Sequence, residues 1–312
     1  MKLRLFWVAL LALVAAATLT DPAAATFKGH NGRIAWAVWN AGGGGGGGFA
    51  SLTTYSSGGG AHRQLGHCAE DNGGNVCQNW YDVTYSPDGA NLLWDQPDSS
   101  GQRVIILAGA GAGSPMVVNH DTADDSQASF SPNGHRIVYV RQTVGTGGAS
   151  GTIVTSDLAG GSVNVVSGTI RGSAPLFTPD GKHILFLRAR GGIWSMGLRG
   201  QSPRRLVARA AAFDIAPSGR SIAYLNSRGN LYIARSDGTH ARRLAQEPVS
   251  DLPSPAVRFS PNGKQIVFSE FGRKHDSGAT IYLIRASGSR PRVLSDSLDP
   301  PTVTTGLSWQ AR

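Results

Sequence analysis

Histidine and aspartate side chains cluster in one short stretch of the chain, HDTADDSQ at residues 120–127. Carboxylate oxygens at such spacing could hold Ca²⁺, but the stretch lacks the central glycine and the closing glutamate of an EF-hand loop. Histidines here and upstream could instead bind a catalytic metal. We favour a hydrated acidic loop with solvated histidines. The residues of the alternative metal hypothesis are His67, His120, Asp121, Asp124 and Asp125.

Sequence signatures of the common catalytic mechanisms are absent from the chain. It contains no Gly-x-Ser-x-Gly nucleophile elbow, no His-Glu-x-x-His metalloprotease motif and no phosphate-binding loop. We therefore predict no catalytic residues and no cofactor.

The two cysteines, Cys68 and Cys77, lie close together in CAEDNGGNVC. In an oxidising compartment we expect a disulfide across this loop, which would stabilise the fold by about 2–3 kcal/mol. A metal site would need further cysteine or histidine ligands at suitable spacing, and none flanks the pair. Two free thiols are the alternative in a reducing compartment.

A turn followed by a strand recurs along the chain and predicts how these residues are positioned. In each copy Ser, Thr or Ala precedes Pro, which fixes φ, then Asp, Asn or Ser follows, and Gly supplies a left-handed residue. Alternating apolar residues then mark a strand. Asp88 and Asp180 are therefore expected to form turns and not to act as acids. The copies are YSPDGANLLWD (85–95), FSPNGHRIVYV (130–140), FTPDGKHILFL (177–187), IAPSGRSIAYL (215–225) and FSPNGKQIVFS (259–269), with a degenerate NGRIAWAV at 31–38.

Strand and turn signals downstream of each copy complete a unit of four strands. Third strands such as GGIWSM (191–196) and GNLYIA (229–234) precede a Gly-containing turn and a fourth strand. The first of the six units lacks its own first strand, but the terminal TTGLSWQAR aligns around Trp309 with the first strands of the others. Pairing of the two chain ends would close a ring. The pattern predicts an all-β fold, a six-bladed β-propeller of four-stranded antiparallel blades.

These repeats resemble the TolB-like family of WD-like β-propeller repeats. The resemblance rests on the [ST]-P-[DN]-G-x-x-[IL]-x-[FWY] core, followed by [IL]-[YW] and a glycine turn, and it covers residues 27 to 312. It concerns the propeller alone, because the repeats begin without the additional α/β domain of TolB. The resemblance implies a protein that binds a protein or envelope ligand at the mouth of the propeller channel.

The innermost strands of such a propeller define its channel. One residue before the aromatic position of each first strand, most side chains are small or polar, as crowding near an axis requires. Asp214 and Arg258 fall in adjacent units and could form an ion pair, either as a structural contact or as a clamp for a polar ligand. The predicted channel residues are Thr84, Ser129, Leu176, Asp214, Arg258 and Ser308.

The channel mouth should be built by the loops that join successive units and by the loops between second and third strands. Aromatic residues beside the cysteine loop could form an exposed rim for a carbohydrate or a protein, or could pack against the second unit. The predicted ligand-binding residues of the mouth are Trp80, Tyr81, Asp82, Gln127, Asp214 and Arg258.

The first 25 residues have the features of an export signal. Lys2 and Arg4 precede an uncharged, largely apolar run from Leu5 to Leu19, and small residues follow at 23–25. A single-pass anchor is the alternative, although the run is shorter than the roughly 20 residues that a bilayer requires. We predict a signal peptide over 1–25, a propeller over 26–312, no membrane span after cleavage, and a periplasmic or extracellular monomer.

The net charge of +9 is unevenly distributed. Residues 171–243 carry thirteen basic and three acidic residues, whereas residues 68–125 carry nine acidic residues and one basic residue. Solvated faces are the simpler interpretation, and a sector that faces an anionic polymer or acidic protein is the other. We predict no nucleic-acid binding, because few aromatics are interleaved and the protein is expected to be exported.

Together these features predict an exported, non-enzymatic scaffold that binds a protein or cell-envelope ligand at the channel mouth. The alternative is a polysaccharide lyase or hydrolase with its site at the same mouth. A third class is a structural module of a larger envelope assembly.

Overall fold

Strands account for every regular element that the structure, a computed structural model, describes. The described residues are 27–40, 49–56, 63–69, 81–118, 123–142, 150–188, 191–245, 256–271, 279–295 and 302–312. All strand pairs among them are antiparallel. Within these ranges there is no helix of the length and apolarity needed to cross a bilayer.

The strands form five sheets. Sheet 1 contains, in spatial order, Thr302–Ala311 (β23), Asn31–Asn40 (β1), Phe49–Ser56 (β2) and Arg63–Ala69 (β3). Sheet 2 contains Tyr81–Tyr85 (β4), Asn91–Pro97 (β5), Arg103–Gly109 (β6) and Met116–Val117 (β7). Sheet 3 contains Asp124–Phe130 (β8), Arg136–Gln142 (β9), Gly151–Asp157 (β10), Asn164–Phe177 (β11), His183–Arg188 (β12), Ile193–Gly197 (β13) and Arg204–Val207 (β14). Sheet 4 contains Ala212–Ile215 (β15), Ser221–Leu225 (β16), Leu231–Arg235 (β17) and Arg242–Ala245 (β18). Sheet 5 contains Val257–Phe259 (β19), Gln265–Phe271 (β20), Ala279–Arg285 (β21) and Arg292–Ser295 (β22).

The last strand of the chain lies beside the first, as the sequence predicts. Trp309 of β23 is opposite Ile34 of β1, and the pairing extends to Thr302 opposite Asn40. Beyond the strands, the His30 amide donates to the Arg312 carbonyl at 2.6 Å. The C-terminal strand therefore supplies the strand that the first unit lacks.

Sheet 3 has seven strands, whereas the repeat predicts separate four-stranded units. The difference lies in β11, which is continuous over 14 residues and pairs with β10 through its first part and with β12 through its second part. Gly172 pairs with both neighbours, and a Cβ there would come within 2.5 Å of the Phe186 ring. The absence of a side chain lets the strand pass from one partner to the other.

The five repeated segments with Pro, then Asp, Asn or Ser, then Gly form tight turns between the first two strands of their units. In the turn after β4, the Gly89 amide donates to the Ser86 carbonyl at 2.9 Å, and Asp88 Oδ1 accepts the Ala90 amide at 3.0 Å. Asp180 Oδ1 accepts the Lys182 amide in the same way. The prediction that Asp88 and Asp180 are turn formers is confirmed.

The core lies between the sheets, where the aromatic position of each innermost strand is buried. One cluster joins Ile34 and Trp36 of sheet 1 to Val267 and Leu283 of sheet 5, so the first and last sheets pack against each other. Burial of large side chains at these contacts supplies the main favourable term in stability. The residues at the buried innermost position are Tyr85, Phe130, Phe177, Ile215, Phe259 and Trp309.

Candidate functional site

A small cavity lies where the innermost strands of all five sheets meet. Its volume is about 40 Å³, which is enough for one or a few water molecules but not for a larger ligand. Phe27, at the start of the described chain, also lines it. The six predicted channel residues all line this one cavity, namely Thr84, Ser129, Leu176, Asp214, Arg258 and Ser308.

Hydroxyl groups of the cavity lining join neighbouring innermost strands. Ser308 Oγ accepts the Tyr85 amide at 2.8 Å, which links β23 to β4. Ser129 Oγ donates to the Pro175 carbonyl at 3.1 Å, which links β8 to β11. These side chains hold the strands in place around the axis.

Asp214 and Arg258 line the same cavity. The ion pair that the sequence suggests between them is not among the ion pairs of the described residues. Asp214 Oδ2 instead accepts the Phe259 amide at 2.6 Å, and Arg258 Nη1 donates to the Val257 carbonyl at 2.9 Å. Burial raises the pKa of Asp214 to about 6, although the Arg258 charge acts in the opposite direction. The carboxylate therefore has a structural link to β19, and the Arg258 charge and the Phe259 amide offset only part of the cost of its burial.

At the end that is predicted to face the channel mouth, three innermost strands contain a non-glycine residue with positive φ. Asp82, Gln127 and Ala174 have φ values of 49°, 56° and 47°, and each lies at a register shift in its strand pair. Each is three positions before the buried aromatic residue of its strand. Such backbone costs about 1–3 kcal/mol per residue and persists only where neighbouring contacts fix it.

Hydrogen bonds from one strand to the next hold these irregular positions. The Gln127 amide donates to Asp95 Oδ1 at 3.1 Å, and Gln127 Oε1 accepts the Ala174 amide at 2.7 Å. Gln127, which the sequence places among the ligand-binding residues of the mouth, thus connects β5, β8 and β11.

Charged side chains lie beside these irregular strand positions, and one of them, Asp95, is buried. Asp95 is 1% exposed and forms an ion pair with Arg103 at 2.5 Å. Its pKa is raised to about 7, because burial and the Asp82 charge, which raise it, outweigh the Arg103 charge, which lowers it. Burial also raises the pKa of Asp82, whereas Arg103 and Arg258 lower it. Asp82, Asp95, Arg103 and Arg258 therefore form one electrostatically connected group, which we call the mouth charge group.

Asp95 and Arg103 are members of this group that the repeat pattern does not predict. Their signal is a charged residue inside an otherwise apolar strand, because Asp95 follows three buried residues in LLWD. A buried carboxylate almost always has a partner. The sequence alone does not show that Arg103, on the adjacent strand, is that partner.

Two of the aspartates named above as possible metal ligands instead bind arginine and backbone groups in the structure. Asp125 accepts two hydrogen bonds from Arg141, at 2.9 and 2.8 Å, and Asp124 Oδ1 accepts the Arg103 amide at 2.6 Å. No three His, Cys, Asp or Glu side chains come together among the residues that the structure describes. His120 and Asp121 lie outside those residues.

Other predicted positions are described in part or not at all. Tyr81 begins β4 opposite Asp95, and Cys68 and His67 lie in β3, where the backbone alone is described. Trp80 and Cys77 lie outside the described residues. The aromatic rim and the disulfide therefore stay predictions.

Comparison with known proteins identifies the fold. No family model matches the sequence, and no curated protein matches it. The structure is similar to TolB from Acinetobacter baumannii, with a TM-score of 0.70 and 19% identity over 90% of this chain and 67% of that one. A TolB-like protein from Agrobacterium tumefaciens gives 0.60 and 18% over 89% and 98% of the two chains. A nidogen/laminin complex gives 0.60 and 11% over 88% and 98%. The chain has a β-propeller fold of the TolB-like type.

Proposed function

We propose that the protein is an exported, non-enzymatic β-propeller that binds a protein or another cell-envelope ligand at its channel mouth. The observation that carries the proposal is that the polar side chains near the predicted mouth bond to other groups of the protein. Gln127 and Asp95 join neighbouring strands, and Asp125 is paired with Arg141. These groups build a rigid frame, which leaves recognition to the loops that the frame supports.

The proposal includes a ring of six blades, with the long sheet 3 counted as two blades that share β11. Pairing of β23 with β1 supports closure of the ring, as do contacts between successive turns on the face opposite the mouth. The Gln310 side chain donates to the Gly89 carbonyl at 2.9 Å, and the Asn262 amide donates to Asn31 Oδ1 at 3.3 Å. The turns of the other blades are neighbours too, because a Cβ added at the turn glycine of one blade would touch the proline of the preceding turn. The pairs are Gly134 and Pro87, Gly181 and Pro132, Gly219 and Pro179, and Gly263 and Pro217.

Two further observations support a binding role in an exported protein. The N-terminal residues have the pattern of a signal peptide, and the TolB-like resemblance agrees with a periplasmic or extracellular location. One of the similar structures is a complex of nidogen with laminin, which is a propeller of this fold engaged with a protein. We propose the same use here, with an envelope protein as the partner.

A polysaccharide lyase or hydrolase is the second candidate, and one observation favours it. Asp82 and Asp95 lie close enough to influence each other, and burial raises the pKa of both carboxyls. A carboxyl group whose pKa is raised holds its proton to higher pH than an ordinary one, which suits general acid catalysis. An assay for bond cleavage in anionic polysaccharides, with Asp82→Asn as the comparison, tests this candidate directly.

Capture from envelope extracts tests the binding proposal. The immobilised mature protein is compared with a Trp80→Ala/Tyr81→Ala double variant, and captured proteins are identified by mass spectrometry. The control double variant is Met116→Ala/Val165→Ala, which also removes apolar surface, since these residues are 49% and 54% exposed, in β7 and in the first part of β11.

We expect one protein to be captured by the wild type and the control and to be lost with the mouth variant. Purified, that protein should bind the mouth variant at least about tenfold more weakly, which corresponds to the loss of one interface hot spot. Equal capture by all three proteins would contradict the mouth as the binding site.

A further inference from the structure

A second cavity, larger than the axial one, lies between the last strands of sheet 3 and sheet 4. It is on the face that carries the turns between the first and second strands of the units. Its volume is about 320 Å³, and it opens beside the turns that follow β11, β15 and β17. This volume is enough for a small phosphorylated or sulfated sugar, unlike the axial cavity. Its polar lining residues include Asp180, His183, Ser195, Arg204 and Ser236.

Ser195 is the first of two cavity residues whose polar groups are available to a ligand. It is 5% exposed, and its hydroxyl has no hydrogen-bond partner among the described residues. The same position of the third strand is Ile233 in sheet 4 and Leu283 in sheet 5, because all three residues lie opposite the first arginine of the next strand. A hydroxyl that replaces an apolar side chain at this position, and that faces the cavity, is free to bond to a ligand there.

Arg204 is the second such residue. It differs from the equivalent arginine in the next sheet, which forms a hydrogen bond to the backbone. Arg242 occupies the same place in β18 and donates through Nη2 to the Ala286 carbonyl at 3.1 Å. Arg204 has no hydrogen bond or ion pair among the described residues, and it lines the cavity directly opposite Ser195. Its guanidinium is therefore available to a ligand that enters the cavity.

Asp180 gives the cavity an acceptor beside these donors. Its Oδ1 accepts from Thr178 Oγ1 at 2.6 Å and from the Lys182 amide at 3.0 Å. The other carboxylate oxygen is left for a donor on the ligand. A ligand that carries both an oxyanion and hydroxyl groups matches this combination of arginine, serines and carboxylate.

We propose that this cavity binds a sugar that carries a phosphate or sulfate group. Arg204 pairs with the oxyanion in charge-assisted hydrogen bonds, to which the Ser195 and Ser236 hydroxyls add donors. Asp180 accepts a hydrogen bond from a sugar hydroxyl. The basic surroundings, with thirteen basic residues in 171–243, raise the local concentration of anions.

Isothermal titration of the mature protein with three probes tests the proposal. Glucose 6-phosphate and glucose 6-sulfate present both features of the ligand and distinguish the two oxyanions, whereas glucose lacks the charge. We expect at least one of the anionic sugars to bind with Kd at or below about 1 mM and at least about tenfold more tightly than glucose. Failure of both anionic sugars to bind saturably at about 20 mM would overturn the proposal.

Substitutions then locate the binding. Arg204→Ala should weaken binding of the better anionic sugar by at least about tenfold, and Ser195→Ala by about threefold or more. Arg242→Ala is the matched control and should change binding by less than about twofold. Unchanged binding by a folded Arg204→Ala variant would overturn the proposal. The mouth variant Trp80→Ala/Tyr81→Ala should bind the sugar normally, which separates this site from the proposed partner site.

Discussion

Replacement of Asp214 by asparagine tests whether burial at the channel axis destabilises the charged carboxylate. Asp214 is 4% exposed, and Asn keeps an oxygen that can accept the Phe259 amide. Its pKa is raised from 3.8 to about 6, chiefly by burial. This rise corresponds to about 3 kcal/mol, since each pKa unit is worth about 1.4 kcal/mol.

The sign of the pH effect follows from which state binds the proton more tightly. Between pH 4 and 6 the folded protein holds the Asp214 proton and the unfolded chain releases it, so rising pH lowers the free energy of unfolding. An asparagine side chain at this position has no proton that titrates in this range. We therefore expect Asp214→Asn to gain up to about 3 kcal/mol in unfolding free energy, relative to wild type, between pH 4 and pH 7.5.

Urea unfolding at both pH values, followed by tryptophan fluorescence, measures this gain. The control is Asp237→Asn, because a hydrogen bond from the Thr239 hydroxyl lowers the pKa of the exposed Asp237 carboxyl. Its pH effect should have the opposite sign. A difference between wild type and Asp214→Asn that is the same at both pH values would refute the account of a buried, insufficiently compensated charge.

Three further changes test other contacts of the fold. Ser308→Ala leaves the buried Tyr85 amide without its acceptor and should cost about 1–3 kcal/mol in urea unfolding; an unchanged midpoint would contradict this link. Gly238→Ala should lower the melting temperature much more than Gly101→Ala, because both glycines have positive φ but a Cβ at Gly238 would collide with the Leu206 carbonyl; equal losses would show that φ alone matters. Both cysteines should resist alkylation until the protein is reduced, and immediate labelling of the untreated protein would exclude the disulfide.

The repeat made much of the architecture predictable from the sequence. Turn residues with fixed φ and alternating apolar residues recur at matching positions, so the innermost strands could be aligned. That alignment placed Thr84 and Ser308 in one cavity although they are far apart in the chain. The terminal pairing of Trp309 opposite Ile34 followed from the same alignment.

The details of the candidate site could not be predicted because they depend on departures from the repeat. A repeat pattern gives the pairing of strands but not the bulges, and the positive φ of Asp82 and Gln127 has no local glycine signal. The expected ion pair between Asp214 and Arg258 is replaced by bonds to backbone groups, which compete for the same atoms. Continuity of β11 depends on packing around Gly172 and not on any turn residue.

Hydrogen exchange of the C-terminal strand tests the central claim, that the two ends of the chain complete one blade and so fix the mouth. If β23 is paired with β1, amides that donate between Thr302–Ala311 and Asn31–Asn40 are protected to a similar degree, because they open in the same event. Mass spectrometry of peptides from the two segments measures this. Slow exchange in both segments is the predicted result. Exchange of the C-terminal segment within seconds, with the first strand still protected, would contradict the claim.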